Sequence, residues 1–168
     1  QFQIQDYVLD LSGKVVNGNL ANQKYQGGDL GDLYAGSSNT QMENLINKSF
    51  LGSDRPQGSY AYQYFSQSLF TDGINPDDVK QGQVGDCYFL ATLAAIANEQ
   101  PNYIQDMFID NGDNTFTVRF FNNGVAEYVT VDRYLPTAWW GAAYANASQE
   151  MWVALAEKAY AQLAESGW

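Results

Sequence analysis

The sequence predicts an α+β fold on three observations. An apolar stretch at helical spacing, Asp86 to Asn98, follows a glycine-bearing loop; two β-rich runs flank Asn122-Asn123-Gly124; and a second amphipathic stretch runs from Ser148 to Glu165. With 168 residues, 45% of them hydrophobic and 15% aromatic, the chain has enough apolar surface for a compact core.

Taken in order, residues from about Ser12 to Ser59 are rich in Gly, Asn, Gln and Ser and carry turn signals such as Asn17-Gly18, Gly36-Ser37-Ser38 and Pro56-Gln57-Gly58. Residues 1–70 are therefore expected to form an extended arm with one short helix, Thr40 to Phe50, where Met42, Leu45, Ile46 and Phe50 fall near helical spacing. Gly27-Gly28-Asp29-Leu30-Gly31-Asp32-Leu33 faintly resembles calcium-binding Gly/Asp repeats, but a single copy cannot stack into a core and reads as a loop. Tyr60, Tyr62 and Tyr64 alternate like one face of a strand. The main body is placed at residues 71–168.

In that body, Tyr88, Phe89, Leu90, Leu93, Ala94 and Ile96, with Ala91 and Ala95 between them, predict a helix buried on most of its faces, stopped ahead of Pro101. Thr115 to Phe121 and Ala126 to Asp132 form a hairpin, because Asn-Gly supplies the positive-φ turn that two paired strands need. Trp152, Leu155, Ala156, Ala159 and Leu163 mark the last helix, with Ser148 as its cap and Gly167 past its end. Trp139-Trp140, after the Leu135-Pro136 turn, reads as core or as part of a groove.

Charge narrows the function. Nineteen acidic against eight basic side chains give a net charge of -11, which repels phosphate backbones and anionic lipid surfaces, so neither nucleic acid nor membrane is expected as a partner. No stretch approaches the roughly 18 apolar residues of a membrane span. Gln1-Phe2-Gln3-Ile4 lacks the basic start of a leader, although a leader removed earlier would leave export open. One cysteine and no histidine rule out an internal disulfide and the usual zinc ligands.

The chemistry concentrates at Gln81-Gly82-Gln83-Val84-Gly85-Asp86-Cys87. Cys87 stands where the loop gives way to the helix, and a thiol at a helix N-terminus meets the positive end of the macrodipole, which favours the thiolate. Gln81, six residues upstream, can bring its side-chain amide back beside the Cys87 N–H, and two such donors make an oxyanion hole for acyl transfer. A lone cysteine on an apolar helix is more often a small buried hydrophobe; the glutamine, the two glycines and the helix-start position favour the nucleophile. A thiol nucleophile needs a base, and the chain has no imidazole to supply one.

Gln81-Gly82-x-x-Gly85-Asp86-Cys87, with an aromatic residue next and then Leu90-Ala91, resembles the nucleophile loop of calpains, calcium-dependent papain-fold cysteine endopeptidases. Phe120-Phe121-x-x-Gly124 and Val129-Thr130-Val131-Asp132-Arg133-x-Leu135-Pro136-Thr137 are similar to the calpain hairpin and the turn after it, and Trp152 to Ala161 resembles the helix that closes the first half of the protease core. The similarity runs from roughly Asp72 to Glu165; Tyr88 replaces the tryptophan common after the cysteine, and the arm carries no such match. The resemblance implies a papain-like half-domain with Cys87 and Gln81 as catalytic residues. It also implies protein or peptide substrates and a second subdomain that supplies the missing His and Asn, without which this half is expected to be inactive.

The resemblance further implies calcium as cofactor, held by the side chains of Asp78 and Glu157 and the backbone carbonyls of Thr71 and Gly73. An acidic domain without soft ligands suits that ion, and Thr71-Asp72-Gly73 is turn-like. Against this, Asp77-Asp78 after Pro76 also reads as a helix cap, and Glu157-Lys158 as a solvated helix face. The alternative function is a non-catalytic calcium-binding or interaction module of the same fold.

Overall fold

The computed structural model describes residues 4–138, 141–147 and 149–167. Trp139, Trp140 and Ser148, given roles above, lie outside them. Helices and sheets are both present, as an α+β chain requires, and they group into two compact units, each built from separated stretches of sequence.

The first unit comprises residues 1–57, 109–132 and 159–168. It opens with helix α1 (Ile4–Val16), so the arm carries two helices rather than one. The sequence pattern missed α1 because Leu11 alone is buried among residues 5–16, while Gly13, Val15 and Val16 are weak helix formers. Contacts distant in sequence hold it instead: Lys14, which also pairs with Asp10 one turn back, donates to Tyr128 O at 2.8 Å and pairs with Glu127, and the Tyr7 ring meets Tyr128. The Gly/Asp stretch opens as a two-residue hairpin, β1 (Lys24–Tyr25) and β2 (Gly28–Asp29), turned by Gln26 and Gly27, both at positive φ. Helix α2 (Asn39–Ser49) matches the predicted span to within a residue, and Ser38 caps it by accepting the Gln41 N–H at 3.1 Å. Strand β4 (Phe108–Asp110) edges a three-stranded sheet completed by β5 (Thr115–Asn122) and β6 (Val125–Asp132). The β5–β6 turn is the predicted one, with Asn123 at φ 50° and Gly124 at φ 83°. Leu11, Leu45, Phe116, Val118 and Val131 fill the core of this unit, and Lys48 and Asp54 form a buried ion pair within it.

The second unit comprises residues 58–108 and 133–158 and carries the nucleophile loop. Its sheet is β3 (Ala61–Tyr64), β7 (Tyr134–Ala138) and β8 (Gly141–Ala142), with β7 in the middle and antiparallel to both neighbours. A 3-10 turn at Pro76–Asp78 leads toward the loop, followed by helices α3 (Cys87–Glu99) and α4 (Pro101–Gln105). Pro101 starts α4 just after α3 has ended, as its missing N–H allows. The expectation that α3 is buried on most faces is corrected. Leu90, Leu93 and Ala97 are buried along one stripe, whereas Cys87, Tyr88, Ala91 and Ala95 are exposed. Positions 90, 93 and 97 share one face of a 3.6-residue helix, and that face alone meets the core of this unit.

Helix α5 (Trp152–Glu165) contributes residues to both units and begins four residues later than its apolar period predicts. The backbone before it is held extended: Glu150 bridges Ser68, and Met151 N donates to Ser68 O at 3.0 Å. Met151, Trp152 and Leu155 are fully buried in the second unit, and Gly167, at φ 81°, lies past the helix end.

Candidate active site

Cys87 is the first residue of α3, free and exposed. The loop before it rests on the segment 143–146. Gln83 N donates to Ala143 O at 2.8 Å, Asn146 N donates to Lys80 O at 3.1 Å, and a Cβ added at Gly82 would lie 2.1 Å from Tyr144 O. Gly82 is thus required for the approach of two backbones, whereas a Cβ at Gly85 would meet nothing within 4 Å. Gln81 Nε2 donates to Val84 O at 3.0 Å, within the loop ahead of Cys87. A primary amide has two N–H donors, so the second stays available for an incoming anion.

Asp86 precedes Cys87 as the N-cap residue of α3, without a side-chain capping bond. Its carboxyl is buried and meets that of Glu157, a residue 2% exposed on α5. Glu157 Oε2 accepts the Ala145 N–H. Burial, reinforced by the nearby Asp86 charge and opposed by the Ala145 N–H, pushes the Glu157 carboxyl up to about 9. Lys158 beside it is also buried, donating to Tyr134 O at 2.8 Å with its ammonium over the Tyr62 ring. The Glu157-Lys158 pair is therefore no solvated face.

Asp78 lies in a different cluster. Its Oδ2 accepts the Asn75 N–H at 2.7 Å, closing a capping box on the 3-10 turn, and the Trp152 indole N–H at 3.3 Å. Trp152 Nε1 stands equally 3.3 Å from Glu150 Oε1, and Thr71 N donates to Glu150 Oε2 at 3.0 Å. Burial and the adjoining Asp78 carboxylate raise the Glu150 carboxyl to about 7. Gly73, at φ 104°, sits in the turn between Thr71 and Asp78.

The structure joins Asp78 and the Thr71 backbone to Glu150, while Glu157 faces Asp86 and Ala145. The reason is positional: Glu150 lies in the extended segment pinned to Ser68, where its carboxylate and the Trp152 indole converge on Asp78, whereas Glu157 lies further along α5. Glu150 escaped the sequence reading, although a carboxylate two residues before a buried tryptophan was a signal that could have found it. Among the described residues no group of three or more His, Cys, Asp or Glu side chains is arranged to hold a metal ion, so any cation at Asp78 and Glu150 would draw on backbone oxygens as well. Among them, too, no helix is long and apolar enough to cross a membrane.

Comparison with known proteins agrees with the motif. The calpain-type cysteine protease DEK1 of Arabidopsis thaliana is 37% identical over 101 residues, covering 56% of this chain and 5% of its own length. Calpain-5 of Mus musculus is 36% identical over 109 residues, 57% of this chain and 17% of its own; Calpain-A of Drosophila melanogaster is 35% identical over 102 residues, 56% and 12%. The chain therefore spans at most 17% of the length of these relatives. The family model described as calpain family cysteine protease matches residues 38–167, well over half of the sequence, and with the cysteine at the head of α3 this places the chain in the calpain family of cysteine proteases.

Proposed function

We propose that this chain is the cysteine-bearing half of a calcium-dependent cysteine endopeptidase of papain-like architecture, which cleaves peptide bonds in proteins. The observation that supports this best is the exposed Cys87 thiol at the first position of α3, behind a loop held by Gly82 and closed by Gln81. No histidine occurs in the sequence, so the imidazole base, and the asparagine that orients it, come from a second subdomain in the same polypeptide or in another chain. The exposed small residues Ala91 and Ala95, on the same helix as Cys87, offer that subdomain a face to pack on.

In the completed site Cys87 Sγ gives its proton to the imidazole and attacks the peptide carbonyl carbon. The oxyanion takes the Cys87 N–H and the second Gln81 Nε2 N–H, and collapse expels the amine, which leaves with the imidazole's proton. Water then hydrolyses the thioester and restores the thiol. Without the imidazole this chain should bind and position but not turn over.

Calcium is the proposed cofactor, at Asp78 and Glu150 with the carbonyls of Thr71 and Gly73. The donors fit a hard cation: all are oxygens, and two carboxyls in contact need a positive charge between them, whether proton or metal. Bound there, the ion would tie the turn at 71–78 to the start of α5 and steady the segment that leads into the nucleophile loop.

Alkylation by iodoacetamide at neutral pH tests the reading. Cys87, exposed at the first position of α3 beside the loop closed by Gln81, should react well above the rate of a cysteine in an unstructured peptide. A rate no higher than that peptide's would overturn the protease assignment in favour of a non-catalytic calcium-binding or interaction module.

A further inference from the structure

The first unit holds a cavity of about 90 Å³, partly open to solvent, where α1, α2, β6 and α5 meet. A single water needs roughly 10–15 Å³ of such space, so there is room for several waters or for one molecule of about four to six non-hydrogen atoms. Leu11, Val129 and Leu163 make its apolar wall. The charged side chains on the wall are already paired, Lys14 with Asp10 and Glu127, and Lys48 with Asp54, so an anion finds no free ammonium among them. What the wall leaves open is neutral. Gln162, 2% exposed on α5, has no hydrogen-bond partner at either Nε2 or Oε1, and Ser49, 3% exposed at the end of α2, has none at Oγ. Nearby polar groups on the same wall are committed elsewhere: Ser166 Oγ donates to the Gln162 backbone carbonyl, and Gln23 Nε2 to Lys14 O. Buried side-chain amides are nearly always bonded, and this one keeps a donor and an acceptor free on one planar group whichever way the amide is turned. The terminal torsion of a glutamine is soft, so the group can turn to meet a guest.

We propose that this cavity is a binding site for a small neutral molecule bearing a primary carboxamide. The guest carbonyl accepts from Gln162 Nε2 while its N–H donates to Gln162 Oε1, Ser49 Oγ offers a further polar contact, and the apolar remainder lies against Leu11 and Leu163. A carboxylate of the same size brings two acceptors and no donor, so it leaves Oε1 unpartnered and buries a charge that nothing on the wall is free to pair. An apolar guest leaves all three polar atoms unsatisfied. The cavity belongs to the first unit and Cys87 to the second, so the site stands independently of the proposed protease chemistry and of calcium.

Acetamide and acetate, nearly identical in size, separate the chemistries in the native full chain. Nitrogen-15 NMR should show acetamide shifting the Gln162 side-chain amide and the Ser49 and Leu163 backbone amides along a saturable curve. Half-saturation is expected in the millimolar range, as suits a guest of about four non-hydrogen atoms. Acetate should bind at least about tenfold more weakly, the cost of leaving a buried acceptor unpaired. Equal shifts from the two probes, or an acetamide response that stays linear to about 500 mM, overturn the site and leave a cavity that holds water alone. Gln162→Met keeps the length of the side chain and removes both polar atoms. It should lower acetamide binding, read at the Leu163 amide, to the level of acetate, and undiminished binding in that variant overturns the assignment. If Gln162→Met does not fold, the comparison of acetamide with acetate at the Leu163 amide of the native chain decides by itself. Slow alkylation of Cys87 would count against the protease reading and leave this titration untouched.

Discussion

Two glycines three residues apart in the nucleophile loop should respond oppositely to the same added methyl group. At Gly82 a Cβ would lie 2.1 Å from Tyr144 O and 2.3 Å from Ala143 O, both backbone atoms that cannot swing away as a side chain would. Ordinary contact begins at 3.4 Å, so loop or support must retreat by about 1 Å in a close-packed region. The next peptide carries the Gln83 N–H to Ala143 O bond, at 2.8 Å, and that retreat breaks it. Overpacking of about 1–3 kcal/mol and the loss of a hydrogen bond worth about 1 kcal/mol together give Gly82→Ala a cost of about 2–4 kcal/mol. At Gly85 a Cβ meets nothing within 4 Å and φ is not positive, so Gly85→Ala should stay within about 0.5 kcal/mol of the native chain. Urea unfolding of the two variants measures both numbers. The reasoning fails if Gly82→Ala is as stable as the native chain, or if Gly85→Ala is destabilised to the same degree.

Two further outcomes follow from buried charges. Asp54 is fully buried, accepting from Lys48 Nζ and from Gln26 N, so Asp54→Ala strands a buried ammonium and should cost about 3–5 kcal/mol by urea unfolding; a loss under about 1 kcal/mol would refute the pairing. For calcium, calorimetry should detect binding to the native chain that Asp78→Asn and Glu150→Gln abolish and Glu157→Gln retains. Because a proton occupies Glu150 below about 7 and leaves it above, calcium affinity should rise with pH through that value, and binding lost in Glu157→Gln but kept in Glu150→Gln would reverse the assignment.

What could be read from the sequence was local. The β5–β6 hairpin follows from Asn123-Gly124 and the alternation on either side, and α2 from its apolar spacing, because neighbours in sequence decide both. Helix α1 was not legible, since its stability comes from Lys14 and Tyr7 reaching Glu127 and Tyr128, more than a hundred residues away. The exposure of α3 was not legible for a related reason. Alanine satisfies a buried and an open face equally well, so Ala91 and Ala95 do not say which side of the helix is covered.

The site divides along the same line. Gln81, Gly82 and Cys87 lie within one loop, so their chemistry could be read from spacing, whereas the carboxyl pairs depend on which acids tertiary structure brings together. Glu150 and Glu157 are seven residues apart, about two helical turns, so a helix starting at Ser148 would put both on one face about 10 Å apart. No period separates them; the pairing of Met151 with Ser68, which delays α5, does. Their surroundings then set different roles. Glu150 meets Asp78 where the Thr71 backbone, an indole N–H and the Gly73 turn adjoin, a setting in which a proton can be exchanged for a cation that recruits further oxygens. Glu157 faces Asp86 and accepts the Ala145 N–H, so tertiary contacts rather than spacing decide which carboxyl each acid meets.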